Sequence, residues 1–114
     1  MIIETGTKVH VVYRALYENS TRRHFIGEVI TAHEAVVKLE GYAFVMDAHS
    51  KMFQRKPGKR ITVMDLAESG YVTNIIPSEV VLENVQYRYV RDSGLVATDD
   101  QGFSLDINEF SMRH

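Results

Sequence analysis

The chain has 114 residues, of which 45% are hydrophobic and 25% charged, as expected for one compact domain and not for a disordered segment. Its formal charge of −2 argues against a protein that coats nucleic acid over its whole surface, because such domains are strongly basic. The absence of cysteine excludes a disulfide framework and a thiolate metal site.

The sequence carries no signal for export or membrane insertion. The N-terminus lacks a cationic segment followed by a long apolar run, and no stretch approaches the roughly 20 apolar residues that span a bilayer. We therefore expect a cytoplasmic protein with no membrane partner. A chain this short buries a modest fraction of its surface, which favours association of identical copies.

Alternation of side chains predicts the first strand over residues 8–16, with Val9, Val11 and Tyr13 on one face. Residues 17–21 follow as a polar run, Tyr-Glu-Asn-Ser-Thr, whose side chains compete for backbone hydrogen bonds. This run predicts a turn.

The second and third strands are predicted over residues 22–31 and 35–46. Gly27 lies at the centre of the second strand, and a residue without Cβ lets a strand coil sharply, as short sheets do when they curl towards closure. Gly41 interrupts the third strand and predicts a bulge or corner there. Together these segments predict a bent hairpin of a very small barrel.

Two further strands are predicted over residues 61–66 and 71–76, joined by a tight turn at 67–70. Pro77 ends the second of them, because proline cannot donate a hydrogen bond to a neighbouring strand. Residues 47–60, between the third and fourth strands, are predicted to be a connection.

The C-terminal part alternates polar and apolar residues over 80–90, which favours strand over helix. Turns at 92–94 and 99–102 flank the short apolar run 95–97. Residues 104–109 allow two interpretations: a short helix, because its acidic residues resemble a capping box, or a terminal strand.

These patterns resemble the Sm-like family over roughly residues 6–77. Residues 27–39 are similar to the family's glycine, apolar residue, acidic turn and return strand, and the segments 61–66 and 71–76 are similar to its last two strands. The resemblance implies a mostly β fold, a small, strongly bent five-stranded Sm-like (SH3-like) barrel with a C-terminal β-rich extension at 78–114, all within a single domain.

The resemblance also implies a homo-oligomeric ring that binds RNA near its pore. In the family the last two strands make the subunit contacts, and ring closure protects edges that otherwise invite uncontrolled pairing. The interface residues implied here are Ile61, Val63, Met64, Tyr71, Thr73 and Ile75.

The family's base-binding loops are altered in this chain. Ala-His-Glu-Ala at 32–35 replaces the usual aspartate, aromatic and asparagine, and no arginine-glycine pair follows the fourth strand. Within that loop, His33 is the side chain that could stack on a base in place of the aromatic. The other interpretation is that it is a solvated histidine in a turn.

Residues 51–60 interleave five cations with one phenylalanine, as expected of a loop that grips phosphate and stacks a base, or of a solvated loop. The predicted RNA-binding residues are Lys51, Phe53, Arg55, Lys56, Lys59, Arg60 and His33. The alternative function is a structural or protein-interaction module that does not bind nucleic acid.

The sequence predicts no catalytic residue, no cofactor and no metal. The five histidines show no helical i, i+4 spacing, and although His10 and His24 are neighbours if the first two strands pair, two imidazoles do not make a site. The seven glycines are isolated, and the serines lie in turns without a strained elbow. A non-enzyme is predicted, although a small hydrolase whose catalytic groups meet only in space stays open.

Overall fold

The computed structural model describes residues 3–13, 22–47, 49–68, 71–91 and 94–107. Antiparallel strands form two sheets, and one short 3-10 helix, Leu82–Asn84, is present within these ranges. The strands are β1 Lys8–Tyr13, β2 Arg23–His33, β3 Val36–Met46, β4 Phe53–Arg55, β5 Arg60–Asp65, β6 Tyr71–Ile76, β7 Gln86–Val90, β8 Gly94–Thr98 and β9 Ser104–Asp106. The prediction of a mostly β fold is confirmed.

The larger sheet has the order β4-β3-β2-β1-β6, and β5 also pairs with β3. The two partners of β3 occupy different parts of it, since β5 lies along residues 36–41 and β4 along 44–46. The third strand therefore serves two sides of the sheet, and Gly41 lies at the change of partner. Residues 14–16 of the predicted first strand fall outside the described ranges.

Two glycines lie opposite each other where β2 and β3 bend. Gly27 is paired with Gly41, and a Cβ built on Gly41 would lie only 2.0 Å from the carbonyl oxygen of Ile26. The strands approach too closely here for any side chain. The register also shifts between Val29 and Thr31, which adds a bulge close to this bend.

The larger sheet is covered by apolar packing on both faces. One cluster, here called the inner cluster, contains Ile3, Val9, Val11, Phe25, Val29, Val37 and Leu39. Alternate residues of the same strands, among them Ile26, Tyr42 and Phe44, point to the opposite face and pack against the smaller sheet. Burial on both faces explains why β1 reads as an almost continuous apolar run.

The smaller sheet has the order β7-β8-β9, and its buried residues Tyr87, Leu95 and Ala97, with Val85 just before β7, join those of the larger sheet in one outer cluster. The strand predicted over 80–90 is wrong in its first half, because the Leu82–Asn84 turn stands there and β7 begins only at Gln86.

Two three-residue strands, β4 and β9, refine two other predictions. The predicted connection at 47–60 contains β4, where burial of Phe53 brings the chain back against β3. Of the two interpretations of 104–109, the structure has a strand, β9, over its first three residues. In the described ranges no helix has the length and hydropathy needed to cross a membrane.

Candidate functional site

Three strands of the larger sheet have one strand partner each in the described part of the chain: the three-residue β4 and the six-residue β5 and β6. β5 pairs with β3, and β6 pairs with β1. No pairing joins β5 to β6, although they follow each other in sequence. Each of them therefore presents a row of backbone groups along an outer edge, the kind of edge that pairs readily with another strand.

Large apolar side chains are exposed on both end strands. On β5, Ile61 and Val63 are 61% and 63% exposed, and on β6 Ile75 is 57% exposed. The other predicted interface residues, Met64, Tyr71 and Thr73, are half-buried, and the first two pack against the inner cluster. The predicted interface set therefore divides into side chains that face solvent and side chains that also stabilise the chain's own core.

The predicted RNA-binding residues are not all in one place. Lys51, Lys56, Lys59 and Arg60 are exposed. His33 is also exposed, but it lies at the other end of β3, because it pairs with Val36 whereas Arg55 pairs with Phe44. Val36 and Phe44 are eight residue steps apart, which is about 25 Å along a strand. His33 thus stands apart from the cations.

The aromatic ring of the basic segment belongs to the core. Phe53 is 6% exposed, and its ring stacks on the imidazole of His24 at a centroid distance of 4.2 Å. It also lies 4.9 Å from the ring of Tyr87. A ring enclosed in this way is not available to stack on a base.

Arg55 is occupied by contacts within the chain. Its Nη2 donates hydrogen bonds to the carbonyl oxygens of Glu83 and Val85, at 2.7 and 3.0 Å, and its guanidinium lies 4.6 Å from the centre of the Tyr42 ring. Lys8 also binds backbone carbonyls of the neighbouring segment: its Nζ donates hydrogen bonds to the carbonyl oxygens of Ser78 and Val80 at 2.7 and 2.6 Å. These two cations hold the segment that leads into the smaller sheet.

A polar cluster between the two sheets contains the buried side chains of His10, His24 and Tyr87 and the half-buried side chain of Asn74. The Tyr87 hydroxyl is 2.6 Å from His24 Nδ1 and 3.0 Å from His10 Nε2, and the two imidazole nitrogens are 3.3 Å apart. Asn74 Nδ2 lies 3.3 Å from His10 Nδ1. One assignment satisfies these contacts: Tyr87 donates to His24 and accepts from His10, and Asn74 donates to His10.

The electrostatics of this cluster follow from its burial. Burial lowers the pKa of His10 to about 4. Burial, assisted by the neighbouring His10 and Arg22, lowers the pKa of His24 to about 3. Burial raises the pKa of the Tyr87 hydroxyl well above its ordinary value. All three side chains are therefore neutral at neutral pH, and they act as a hydrogen-bonded structural unit.

Sequence reasoning considered the His10–His24 neighbourhood but missed Tyr87. The two histidines are diagonal neighbours, since His10 lies opposite Ile26 and His24 opposite Val12. Tyr87 comes from the other sheet, and the alternation of apolar residues around it was its only signal. Among the described residues, no group of three histidine, cysteine or acidic side chains is arranged to hold a metal ion.

Comparison of this chain with models of protein families, with curated proteins and with solved structures found no match. The function proposed below therefore depends on the geometry of the chain itself.

Proposed function

We propose that this protein is a self-assembling Sm-like β module whose identical copies form a closed ring. In that assembly the outer edge of β5 of one copy pairs with the outer edge of β6 of the next. The observation that carries the proposal is the strand order, in which the six-residue strands β5 and β6 lie at edges of the larger sheet and each has one strand partner in the described part of the chain. The exposed Ile61, Val63 and Ile75 supply apolar surface at these edges.

The two edges differ from each other, and this favours a ring over a two-fold dimer. Pairing β5 with β6 is a head-to-tail contact, which leaves one edge of each kind free at the ends of any open chain of subunits. Closure into a ring removes both free ends and with them the tendency of edge strands to aggregate. The proposed Sm-like module would therefore form a ring because each of its two unlike edge strands needs a partner strand.

The assembly is tested by the mass of the wild-type protein and of charge variants, measured by light scattering after size exclusion. Val63→Lys and Ile75→Lys place a charge at the two proposed edges, and both should shift the protein from oligomer towards monomer. Val81→Lys is the matched control, because Val81 is 50% exposed and lies outside both strands. A wild-type monomer at about 100 μM, a concentration at which even weak complexes form, contradicts the proposal.

Binding of single-stranded RNA is a second candidate function, and four exposed cations favour it: Lys51, Lys56, Lys59 and Arg60. None of them has a carboxylate within salt-bridge distance in the described residues, where the one ion pair is Arg88–Asp100. Unpaired cations attract phosphate, and they give an affinity that falls steeply as salt rises.

The RNA candidate is tested by titration with oligouridylate and oligoadenylate at low and moderate salt. Replacing the four cations by alanine should weaken binding at low salt and flatten its salt dependence. Replacing the exposed Lys38 and Arg91 by alanine is the control and should change neither. Absence of binding to the wild-type protein at low salt favours the alternative, a protein-interaction module that does not bind nucleic acid.

A further inference from the structure

A groove of about 520 Å³ opens beside the inner cluster, and residues of β1, β2, β3, β5 and β6 line it. Its lining includes Val11 and Phe25, which are 1% and 4% exposed, and the half-buried Met64. Tyr13 and Tyr71 also line it, with ring centres 5.4 Å apart. The groove thus has an apolar floor and an aromatic wall, and its volume is that of typical small-molecule sites.

Two arginines give the groove a positive rim. Arg23 is exposed and lies opposite Tyr13, and Arg60 is exposed and lies opposite Gly41. Both line the groove, together with one carboxylate, that of Glu68. Neither arginine is within salt-bridge distance of Glu68 or of any other acidic group that the structure describes. Two guanidinium groups against one carboxylate leave the rim positively charged.

We propose that this groove binds a small amphipathic anion, whose apolar body lies on Val11, Phe25 and Met64 and whose carboxylate or phosphate headgroup is bound by Arg23 and Arg60. Burial of the apolar body supplies the driving force. A guanidinium presents a planar fork of donors that matches carboxylate and phosphate oxygens. This ligand suits the groove better than a nucleic-acid strand, because charge is confined to the rim while the floor is apolar.

The proposal depends on neither the ring nor the RNA candidate, and its test reads out the groove directly. Backbone amide shifts of the isotope-labelled full chain are followed during titration with decanoate, decyl phosphate and the neutral decanol, each below its aggregation concentration. Saturable shifts should centre on Phe25, Thr62 and Met64. The comparison of decanoate with decyl phosphate identifies the preferred headgroup, and decanol should bind about tenfold more weakly than the better anion.

Variants separate the charge of the rim from general apolar binding. Arg23→Gln and Arg60→Gln should each weaken binding of the anion about tenfold and leave that of decanol unchanged. Arg22→Gln is the matched control, since Arg22 is the exposed sequence neighbour of Arg23 but is absent from the groove lining. All three substitutions are at exposed positions, where loss of folding is not expected.

Four outcomes overturn the proposal. Decanol that binds as tightly as the better anion, an Arg22→Gln variant that binds as weakly as the Arg23→Gln variant, or shifted amides that lie mainly in the smaller sheet would each show that the guanidinium groups do not define a site. A short oligouridylate that shifts the groove amides when neither anion does assigns the groove to nucleic acid and also overturns it.

Discussion

The hydroxyl of Tyr87 lies 2.6 Å from Nδ1 of His24, so a side chain of the smaller sheet completes the hydrogen bonding of an imidazole buried in the larger one. The same hydroxyl lies 3.0 Å from His10 Nε2. Buried polar groups are costly unless they are paired, and the described residues contain no buried side-chain nitrogen or oxygen without a partner. The two sheets are therefore joined by polar contacts as well as by apolar packing.

Tyr87→Phe should destabilise the protein by about 1–3 kcal/mol, because it leaves two buried imidazoles without their shared partner and removes almost no apolar surface. Urea unfolding at neutral pH measures this free energy. Tyr89→Phe is the control, since the Tyr89 ring is 59% exposed and its hydroxyl donates to the Lys51 carbonyl at 3.2 Å. Equal stability of the two variants contradicts the structural role of the cluster.

Acid should destabilise the fold through His10 and His24. Burial lowers the folded-state pKa of these imidazoles from 6.5 to about 4 and about 3, whereas the unfolded chain protonates them near 6.5. As pH falls below 6.5, the unfolded state binds more protons than the folded state, and stability is lost. We expect a loss of about 2 kcal/mol for each histidine between pH 7 and pH 5.

Urea midpoints measured over that pH range test the acid dependence. The ring signals of His10 and His24, followed by NMR, should not titrate in the folded protein until the pH approaches about 4. Titration of either ring near pH 6.5, or equal urea midpoints at both ends of the range, is incompatible with neutral buried imidazoles.

Gly41→Ala should cost about 2–3 kcal/mol or prevent folding, as an overpacked substitution does when backbone must move. The added Cβ meets the Ile26 carbonyl oxygen at 2.0 Å and the Gly27 Cα at 2.5 Å. Thermal unfolding measures the effect. Gly58→Ala is the comparison: its Cβ has open space, and its only penalty is a φ of +81°. A Gly41 variant as stable as the Gly58 variant contradicts the close approach of β2 and β3.

Arg55→Ala should destabilise the contact between the two sheets by about 1 kcal/mol, because it removes two hydrogen bonds to backbone carbonyls and the packing on Tyr42. Lys56→Ala is the matched control, being the next residue and exposed. Proteolysis under native conditions should cut the segment between β6 and β7 faster in the Arg55 variant alone. Identical cleavage rates show that the guanidinium does not hold this segment.

The central strands were predictable because their signals are local. Alternation of apolar residues located β1, β2, β3, β5 and β6 to within a few residues. Gly27 and Gly41 indicated the bend, since a missing side chain is visible in the sequence wherever it occurs. The 3-10 helix at Leu82–Asn84 was missed because the valines on either side of it are typical of a strand, and only the packing of Val80 and Val85 in the outer cluster distinguishes it.

The candidate site was less predictable, because a residue's type does not state what it contacts. Lys51, Lys56, Lys59 and Arg60 are exposed, whereas Phe53 and Arg55 of the same segment are engaged by the chain itself. The groove joins Arg23 to Arg60 across two strands that are not neighbours. No pattern within either strand indicates that these two arginines line the same groove.

Local patterns in the sequence indicate where the strands run and where they bend, since backbone geometry responds to alternation, glycine and proline over a few residues. The contact of Tyr87 with His10 and His24, across 77 and 63 residues of chain, is visible only in the folded molecule. Such contacts form when two sheets pack face to face. The free energy gained by burying the surface between them depends on both sheets together, and the sequence of one segment does not reveal it.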